Sequence, residues 1–413
     1  MTRHIAHIII QADTPLKVGS NASDFLQDSP IQKDWNNLPM ILGTSIAGVL
    51  RKEFDKDTAN KIFGKDEGSK VIFSNALLVD EKEKVNEELL LEKSEFLKLF
   101  DNLPIREHTA ITDKGVAKEH SKFDEEVVFK GTKFKFSIEL IDDDKKIFDE
   151  ILNLLGSSSF RLGGGSTKGF GKFKIINIKT TNKNCSSSLN TPLDNSYEIE
   201  KTESKTHTKY TLNITPDDFF MFGSGFGDED ADMTPVYEKV IDYRIGKLSD
   251  DMILIPASSI KGAIAHRTAY YYNLQNKLYV GNQDAKESIK EIFGEAKNSK
   301  QDIKGSKGKV IFSDCFVTKA DEKVFDHVSI DRFTGGAIDG ALFQEKTIAD
   351  DREYSIEILL EKDIEKEFVS AFEETLKDIA TGMLPLGGAT TKGHGVFSGK
   401  VFKNDVELKD EKN

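Results

Sequence analysis

The chain has 413 residues, and 57 basic against 70 acidic side chains give it a net charge of −13. Its 28 Phe, 9 Tyr and 1 Trp, within a hydrophobic fraction of 38%, exclude a wholly disordered chain. No stretch approaches the roughly 18 apolar residues of a membrane helix, and the amino terminus turns polar at Gln11 too soon for a signal peptide. Cys185 and Cys315 alone supply neither a disulfide framework nor a cysteine zinc site. We expect a soluble, cytoplasmic protein whose acidic balance argues against coating nucleic acid by bulk charge but leaves a local basic groove open.

The predicted elements occur twice along the chain, in the same order. Each series has a strand, a helix opened by Ser-Ile-x-Gly, a stretch rich in Val, Ile and Phe, a second helix, a Gly-rich turn and a closing strand. The predicted bounds are Ile5–Gln11, Ile46–Phe54, Val71–Leu78, Lys145–Leu155 and Gly171–Ile178 in the first series, and Lys209–Ile214, Ile260–Tyr271, Val310–Thr318, Asp363–Thr381 and Gly395–Phe402 in the second. This order predicts an α+β protein of two tandem ferredoxin-like (RRM-like) domains.

Five sequence blocks recur at offsets between 214 and 239 residues, which indicates an internal duplication. The clearest pairs are Val-Ile-Phe-Ser-Asn75 with Val-Ile-Phe-Ser-Asp314, and Leu162-Gly-Gly-Gly-Ser-Thr-Lys-Gly-Phe-Gly171 with Leu386-Gly-Gly-Ala-Thr-Thr-Lys-Gly-His-Gly395. Between the copies, residues 180–207 are rich in Asn, Ser, Thr and Lys and have little apolar character. We therefore predict a first domain at 1–179, a polar linker at 180–207 and a second domain at 208–413.

The Gly-rich turns are the first candidate site. They lack the Walker spacing, and they follow a helix instead of opening one, which excludes a dinucleotide fingerprint. Two interpretations stay open: a tight connection in which Gly serves only positive φ, or a turn whose backbone N–H groups and Lys approach phosphate. Recurrence of the Thr-Lys pair favours phosphate.

The histidines and the acidic loops are further candidates. His108 and His327 are equivalent in the repeat and are either satisfied structural histidines or contacts to RNA. Asp28 and Asp232 each precede a Pro and then a Lys. Such an Asp usually caps its own turn, but beside a phosphodiester it could serve as a general base or hold a metal ion.

These blocks resemble the RAMP proteins of CRISPR type III effector complexes, specifically their Cas-seven-like backbone subunits. The resemblance spans both halves. It is carried by Ile255-Pro-Ala-Ser-Ser-Ile-Lys-Gly262, by Ser329-Ile-Asp-Arg-Phe-Thr-Gly335 and by the two Gly-rich phrases. A tandem pair is most similar to type III-D variants. The first half departs from the pattern, with Ala47 in place of Lys261 and Ala110-Ile-Thr-Asp113 in place of Ser-Ile-Asp-Arg.

The resemblance implies a subunit that grips guide CRISPR RNA by its backbone while guide–target pairing reads sequence. It implies thumb hairpins, for which Arg106–Val128 and Val324–Thr347 are the candidates, and metal-dependent cleavage of single-stranded target RNA at a loop acid. That acid is Asp28 or Asp232, with Asp230 as an alternative to Asp232, and the ion Mg²⁺ or another divalent cation. Implied partners are the two RNAs and other effector subunits, including a large polymerase-like subunit, and no membrane. The predicted RNA-binding residues are Lys33, Thr44, Ser45, Arg51, His108, Gly164, Thr167, Lys168, Lys239, Ser258, Ser259, Lys261, Arg267, His327, Arg332, Gly388, Thr391 and Lys392.

Two other functions compete with this reading. The same scaffold without catalysis would leave Asp28 and Asp232 as turn residues. A guide-processing ribonuclease of the related Cas-six kind would share the Gly-rich terminal loop, but it usually works with a His base and no metal and does not need the Ser-Ile-Asp-Arg phrase.

Overall fold

The structure is a computed structural model that describes residues 2–20, 30–65, 67–111, 118–119, 121–142, 144–182, 188–200, 204–279, 289–295 and 305–409. The strands of the first half are β1 (Arg3–Ala12), β2 (Met40–Ile41), β3 (Val71–Phe73), β4 (Ala76–Leu78), β5 (Ile105–His108), β6 (Phe123–Glu126), β7 (Lys133–Ile141), β8 (Phe173–Thr181) and β9 (Asn195–Ser196). Its helices are α1 (Gly43–Arg51), α2 (Lys56–Phe63), α3 (Glu95–Lys98) and α4 (Lys145–Leu154), with 3-10 turns at Leu99–Asp101 and Ser166–Lys168.

The second half repeats the plan with more short strands. They are β10 (His207–Pro216), β11 (Phe219–Phe220), β12 (Tyr237–Glu238), β13 (Ile241–Asp242), β14 (Lys247–Leu248), β15 (Met252–Ile255), β16 (Gly294–Glu295), β17 (Ser306–Lys307), β18 (Val310–Phe312), β19 (Cys315–Val317), β20 (Asp321–His327), β21 (Phe343–Ala349), β22 (Tyr354–Glu361), β23 (Phe397–Lys403) and β24 (Val406–Glu407). The helices include α5 (Ala257–Gln275) and α6 (Lys366–Ala380), residues 289–293 are also helical, and a 3-10 turn lies at Thr390–Lys392.

Each half is built on an antiparallel sheet with the same strand order. In the first half β8, β1, β7 and β3 are neighbours, and in the second half β23, β10, β22 and β18 are. Counted in chain order within each copy, this is the order four-one-three-two of the β-α-β-β-α-β plan. The predicted α+β, ferredoxin-like fold is confirmed.

Alternating sequences place each core on one face of its sheet. In β7 the residues Phe134, Phe136, Ile138 and Leu140 are fully buried while their neighbours are half-exposed. Helix α4 covers them with Phe148, Ile151 and Leu152, whose spacing puts them on one helix face. The second half repeats this with Tyr354, Ile356, Ile358 and Leu360 on β22 under Phe368, Phe372 and Leu376 of α6. Each half has its own apolar core, and Ile241 of β13 in the second half is buried in the core of the first.

The starts of α1 and α5 differ from the prediction. Their N-caps are Leu42 and Pro256, which make no side-chain cap, so the neighbouring Ser and Thr residues lie inside the first turn. The caps come from the recurring strand phrase instead: Asn75 Oδ1 accepts from the Gly43 N–H at 2.9 Å, and Asp314 Oδ1 accepts from the Ala257 N–H at 2.8 Å. These residues also divide each predicted strand, Val71–Leu78 and Val310–Thr318, into two short ones.

The polar segment between the halves is partly packed on the first half. Strand β8 runs on to Thr181, β9 pairs back onto it, and Leu189 is buried beside Val85. The domain bounds at 179 and 208 stay a prediction. Among the described helices, none has both the length and the apolar character that crossing a bilayer requires.

Candidate nucleic-acid interface

Two hairpins occur where thumbs were predicted, and each is tied to a Gly-rich turn. The first is β5–β6, in which His108 pairs with Phe123, and the second is β20–β21, in which His327 pairs with Phe343. In both, the hairpin histidine stacks on its Phe partner, with ring centroids 5.1 and 4.9 Å apart. The same constellation, a hairpin histidine stacked on a phenylalanine beside a Gly-rich turn, therefore occurs in both halves.

A buried carboxylate forms the centre of each constellation. Glu125 on β6 forms an ion pair with Lys168 at 3.1 Å and lies 3.2 Å from His108 Nε2. Glu345 on β21, which is fully buried, forms an ion pair with Lys392 at 2.6 Å and lies 3.3 Å from His327 Nε2. The two histidines predicted as structural or RNA-contacting residues thus lie against a carboxylate and an aromatic ring.

The lysines of the Gly-rich turns are neutralised by these carboxylates. Lys168 Nζ lies 4.6 Å above the Phe123 ring and Lys392 Nζ 4.6 Å above the Phe343 ring. Their side chains keep exposures of 32% and 36%. Each lysine therefore presents a solvent-facing edge and is paired with a buried carboxylate, which Lys168 shares with Lys17.

Lys17 adds a further cation to the first constellation by pairing with Glu125. Burial alone would raise the pKa of the Glu125 carboxyl, but the neighbouring His108 and Lys17 outweigh burial and hold this pKa well below its usual range. Glu125 is therefore ionised at neutral pH.

The Gly-rich turns are fixed by backbone bonds to the residues after the first strand of each half. The Gly164 N–H donates to the Lys17 carbonyl at 2.7 Å, and the Gly388 N–H donates to the Met221 carbonyl at 2.7 Å. These two amides, predicted to approach phosphate, are therefore engaged within the protein. Gly163 and Gly387 have positive φ, and a Cβ there would overlap the same two carbonyls.

The first Gly-rich turn packs against the second half of the chain. Gly169 forms a bridge with Ser313, and a Cβ on it would lie 2.7 Å from the Ala257 Cβ at the start of α5. Lys261, one turn into α5, donates to Thr167 Oγ1 at 3.4 Å. At the equivalent Gly393, no atom of the described residues lies within 4 Å of such a Cβ. We call the contact between the turn at Ser166–Lys168 and the start of α5 the seam.

Ion pairs hold the seam together. Arg106 is buried, donates to Glu238 at 2.8 Å and to Asp314 at 2.5 Å, and covers the Phe170 ring at 5.0 Å. Burial would lower the pKa of Arg106, but the two carboxylates raise it above its ordinary value.

A second group of ion pairs lies beside the first. Glu357 of the second half binds Arg161 at 3.3 Å and Lys172 at 3.0 Å. First-half cations thus meet second-half carboxylates throughout the seam.

Three other predicted RNA-binding residues have partners within the chain. Arg51 donates to the Gly64 carbonyl and to Asn60, which ties α1 to α2. Arg267 pairs with Asp378 and so joins α5 to α6. Lys33 lies 3.8 Å from Glu126.

The remaining predicted residues are on the surface or lie outside the described residues. Exposed or half-exposed are Thr44, Ser45, Lys239, Ser258, Ser259, Arg332 and Thr391. Arg332 is in the exposed tip of the β20–β21 hairpin, remote in sequence from the Gly-rich turns. Asp28 lies outside the described residues.

Asp232 is exposed and bonded to the second hairpin. Its Oδ2 accepts from the Gln344 N–H at 2.8 Å, next to the bridge between Met233 and Glu345. Asp228 and Asp230 instead pair with Lys346. Among the described residues no group of three or more His, Cys, Asp or Glu could hold a metal ion by itself.

Sequence reasoning did not single out Glu125, Glu345 or Lys17. The signal was present, because the repeat places a Glu two residues after the Phe that stacks on each hairpin histidine. Using this signal requires knowing which residues face each other across each hairpin, and the sequence alone does not give that register.

Comparison with known proteins identifies the family. The model of the RAMP superfamily matches residues 9–174 and 238–398. Among solved structures, the chain is similar to a chain of the cryo-EM structure of the type III-B Cmr-beta bound to cognate target RNA, at 17% identity and a TM-score of 0.34. That match covers 44% of this chain and 61% of the other, less than two thirds of its length. No curated protein matches the chain in sequence. With two matched regions that together span most of its length, the chain belongs to the RAMP superfamily.

Proposed function

We propose that this chain is a guide-RNA-binding backbone subunit of a type III CRISPR effector complex, and that it cleaves target RNA at a loop aspartate. Membership of the RAMP superfamily in two tandem regions is the observation that carries the proposal. The partners would be guide CRISPR RNA, single-stranded target RNA and other effector subunits, including a large polymerase-like subunit.

The arrangement of Asp232 supports a role in cleavage. Its carboxylate is held at the loop end of the β20–β21 strand pair by the Gln344 N–H and stays exposed. If this hairpin interrupts guide–target pairing, the exposed carboxylate beside it lies next to a strand whose splayed nucleotide can attack its own 3′-phosphate through the 2′-hydroxyl. The P–O bond to the next nucleotide then breaks, which leaves a 2′,3′-cyclic phosphate and a 5′-oxygen that takes a proton from water. Asp232 would accept that proton or orient the phosphate.

A divalent cation fits this site only with RNA present. Mg²⁺ is commonly held by one or two carboxylates together with substrate phosphates and water. Asp232 would supply the carboxylate in the second half, and Asp28 is the candidate in the first. The ion would supply charge neutralisation at the scissile phosphate.

The same geometry also favours the scaffold alternative. A carboxylate that already accepts a backbone N–H can be a purely structural cap. Guide binding without cleavage would then be the whole function.

Substitution in the assembled complex separates the two functions. We expect Asp232→Ala to abolish one set of cuts in a bound target RNA and Asp28→Ala another, with guide occupancy unchanged. Asp232→Asn keeps an acceptor for the Gln344 N–H and should still lose those cuts. Asp363→Ala, which removes an exposed loop acid just before α6, is the matched control.

Three results would contradict the assignment of target-RNA cleavage to Asp28 and Asp232. Full cleavage by both alanine variants would leave only the scaffold function. Loss of cuts in Asp230→Ala instead of Asp232→Ala would move the role to the neighbouring acid. Cleavage of repeat RNA by the isolated chain in the presence of a chelator would favour the guide-processing function.

A further inference from the structure

The hairpin that leads to the first helix differs in length between the two halves. In the second half it spans residues 239–251 and contains β13 and β14, whereas in the first half it spans residues 33–39 and closes with the bridge between Lys33 and Pro39. The two hairpins are equivalent, because each follows a Pro and a Lys after the acidic loop and ends just before α1 or α5. We call residues 33–39 the short hairpin and residues 239–251 the long hairpin.

The long hairpin attaches the second half to the first through apolar side chains. Ile241 is buried in the first-half core, and its N–H donates to the Lys130 carbonyl at 2.9 Å. The Tyr243 ring contacts Phe96 edge-on, with centroids 5.0 Å apart, and its hydroxyl donates to the Val79 carbonyl at 2.8 Å. A hairpin at this place in the repeat therefore holds one module against another.

The short hairpin instead presents the single tryptophan of the chain to solvent. Trp35 is 58% exposed at the hairpin tip, and Leu89 and Leu91, in the loop after β4, are 70% and 102% exposed. We call Trp35, Leu89 and Leu91 the tryptophan patch. Exposed apolar residues that lie together in this way mark sites of interaction with a partner.

Hydrogen bonds bring the two parts of the tryptophan patch together. The buried side chain of Asn36 donates to the Glu88 carbonyl at 2.9 Å and accepts from the Leu90 N–H at 2.8 Å, which holds the hairpin tip against the loop. Asp34 Oδ1 fixes the tip itself by accepting from the Asn36 and Leu38 N–H groups at 2.8 and 3.0 Å. A surface held in one conformation loses little conformational entropy when a partner binds.

Acidic side chains surround the tryptophan patch. Asp34 lies in the hairpin tip, and the exposed Glu88 and Glu92 flank the two leucines. The two lysines nearest in sequence each pair with a carboxylate. This negative charge opposes the phosphates that accompany a base stacked on the indole, and it opposes an identical patch on a second copy. It favours a protein surface that carries Lys or Arg.

We infer that the tryptophan patch is a docking surface for a different protein chain, one that presents an apolar pocket bordered by Lys or Arg side chains. The short hairpin would hold that chain as the long hairpin holds the first half. Trp35 would fill the pocket, because buried aromatic anchors carry much of the binding energy of protein interfaces. The inference rests on the proposed function only in expecting the partner among the other subunits of the same complex.

Trp35 provides its own probe, because the chain has no other tryptophan. The full chain is labelled with 5-hydroxytryptophan, which can be excited at longer wavelengths than the tryptophans of other subunits. In the free chain we expect acrylamide to quench this fluorescence readily, and in the assembled effector complex we expect the quenching constant to fall several-fold. An unchanged quenching constant in the complex would overturn the inference.

The same label identifies the other possible occupants. Quenching that weakens as the free chain is concentrated would indicate a second copy, and quenching that weakens on addition of a mixed-sequence single-stranded RNA would indicate base stacking. Either result would overturn the inference. With p-benzoylphenylalanine in place of Trp35, we expect a photo-cross-link in the complex to a protein chain other than this one, and a cross-link to RNA or to a second copy would refute it.

Substitutions measure how much the tryptophan patch contributes to binding. We expect Trp35→Ala to weaken incorporation of the chain into the complex about 30-fold, as for an interface anchor, and Leu91→Asp to weaken it as well. Leu274→Ala, which truncates a residue of α5 that is also 58% exposed, is the matched control and should assemble as the wild type does. A lower melting temperature of free Trp35→Ala with unchanged incorporation would show a structural role and overturn the inference.

The outcomes separate the docking surface from the proposed function. A complex that carries guide RNA while residue 35 stays open to acrylamide would overturn the docking surface and leave the function standing. Protection of residue 35 in an assembly that carries no RNA would support the docking surface and overturn the guide-binding function.

Discussion

Replacing Arg106 by Met tests how strongly the two halves are joined. The guanidinium is buried and pairs with two second-half carboxylates, Glu238 and Asp314. Met fills much of the same volume beside Phe170 but leaves both carboxylates without a cation. Removing one partner from a buried ion pair costs about 3–5 kcal/mol, and we expect the free energy of unfolding to fall by about this amount.

The loss should depend on pH in a defined direction. Burial raises the pKa of Glu238 even beside Arg106, so its protonated form is favoured in the folded state and its ionised form opposes folding as the pH rises. Without Arg106, which lowers the pKa of Glu238, this pKa rises further and the loss of stability with rising pH becomes larger. The difference in the free energy of unfolding between wild type and Arg106→Met should therefore be largest near about pH 7.5. It should become smaller toward about pH 5.5, where Glu238 is increasingly protonated in the folded state.

Chemical unfolding of the full chain, followed by circular dichroism, measures the effect. Arg244→Met, which breaks a solvent-exposed pair with Asp242, is the control and should leave the unfolding midpoint nearly unchanged. Combining Arg106→Met with Glu238→Gln and Asp314→Asn should recover much of the loss, because Asn can still cap α5 as Asn75 caps α1. A midpoint shift for Arg106→Met no larger than that of the control would refute the reasoning.

Two further predictions concern the Gly-rich turns. Gly169→Ala should lower the melting temperature clearly more than Gly393→Ala, because both have positive φ but, within the described part of the chain, only a Cβ at Gly169 would meet another element; equal shifts would contradict this. Glu345→Gln should release the charge of Lys392 and steepen the salt dependence of RNA binding by about 0.7. An unchanged slope in Glu345→Gln would mean that Lys392 does not reach RNA.

The repeated blocks predicted the fold because local patterns determine it. The alternation in β7 and the helical spacing in α4 each require one apolar face, and the order of elements then leaves few topologies. The recurrence of the Val-Ile-Phe-Ser phrase was visible in the sequence. Its purpose, to cap a helix with Asn75 or Asp314, was not, because it depends on a contact between residues far apart in the chain.

The candidate site was predicted less well, for an electrostatic reason. Lys168, Lys261 and Lys392 look alike in sequence, yet Glu125 pairs with the first and Glu345 with the third, while among the described residues no carboxylate pairs with the second. Which lysine is left without a carboxylate partner depends on the register of the hairpins and on how one half packs against the other. Neither can be read from a motif.

The ionic seam also bears on how the chain behaves once folded. Arg106 and Arg161 attach the first half to carboxylates of the second, so a protease cut in the polar segment between the halves should leave the two fragments associated. The peptide link is then not what keeps them together. What it fixes is stoichiometry: any assembly that incorporates this polypeptide receives one copy of each module, already adjacent and always in the same order.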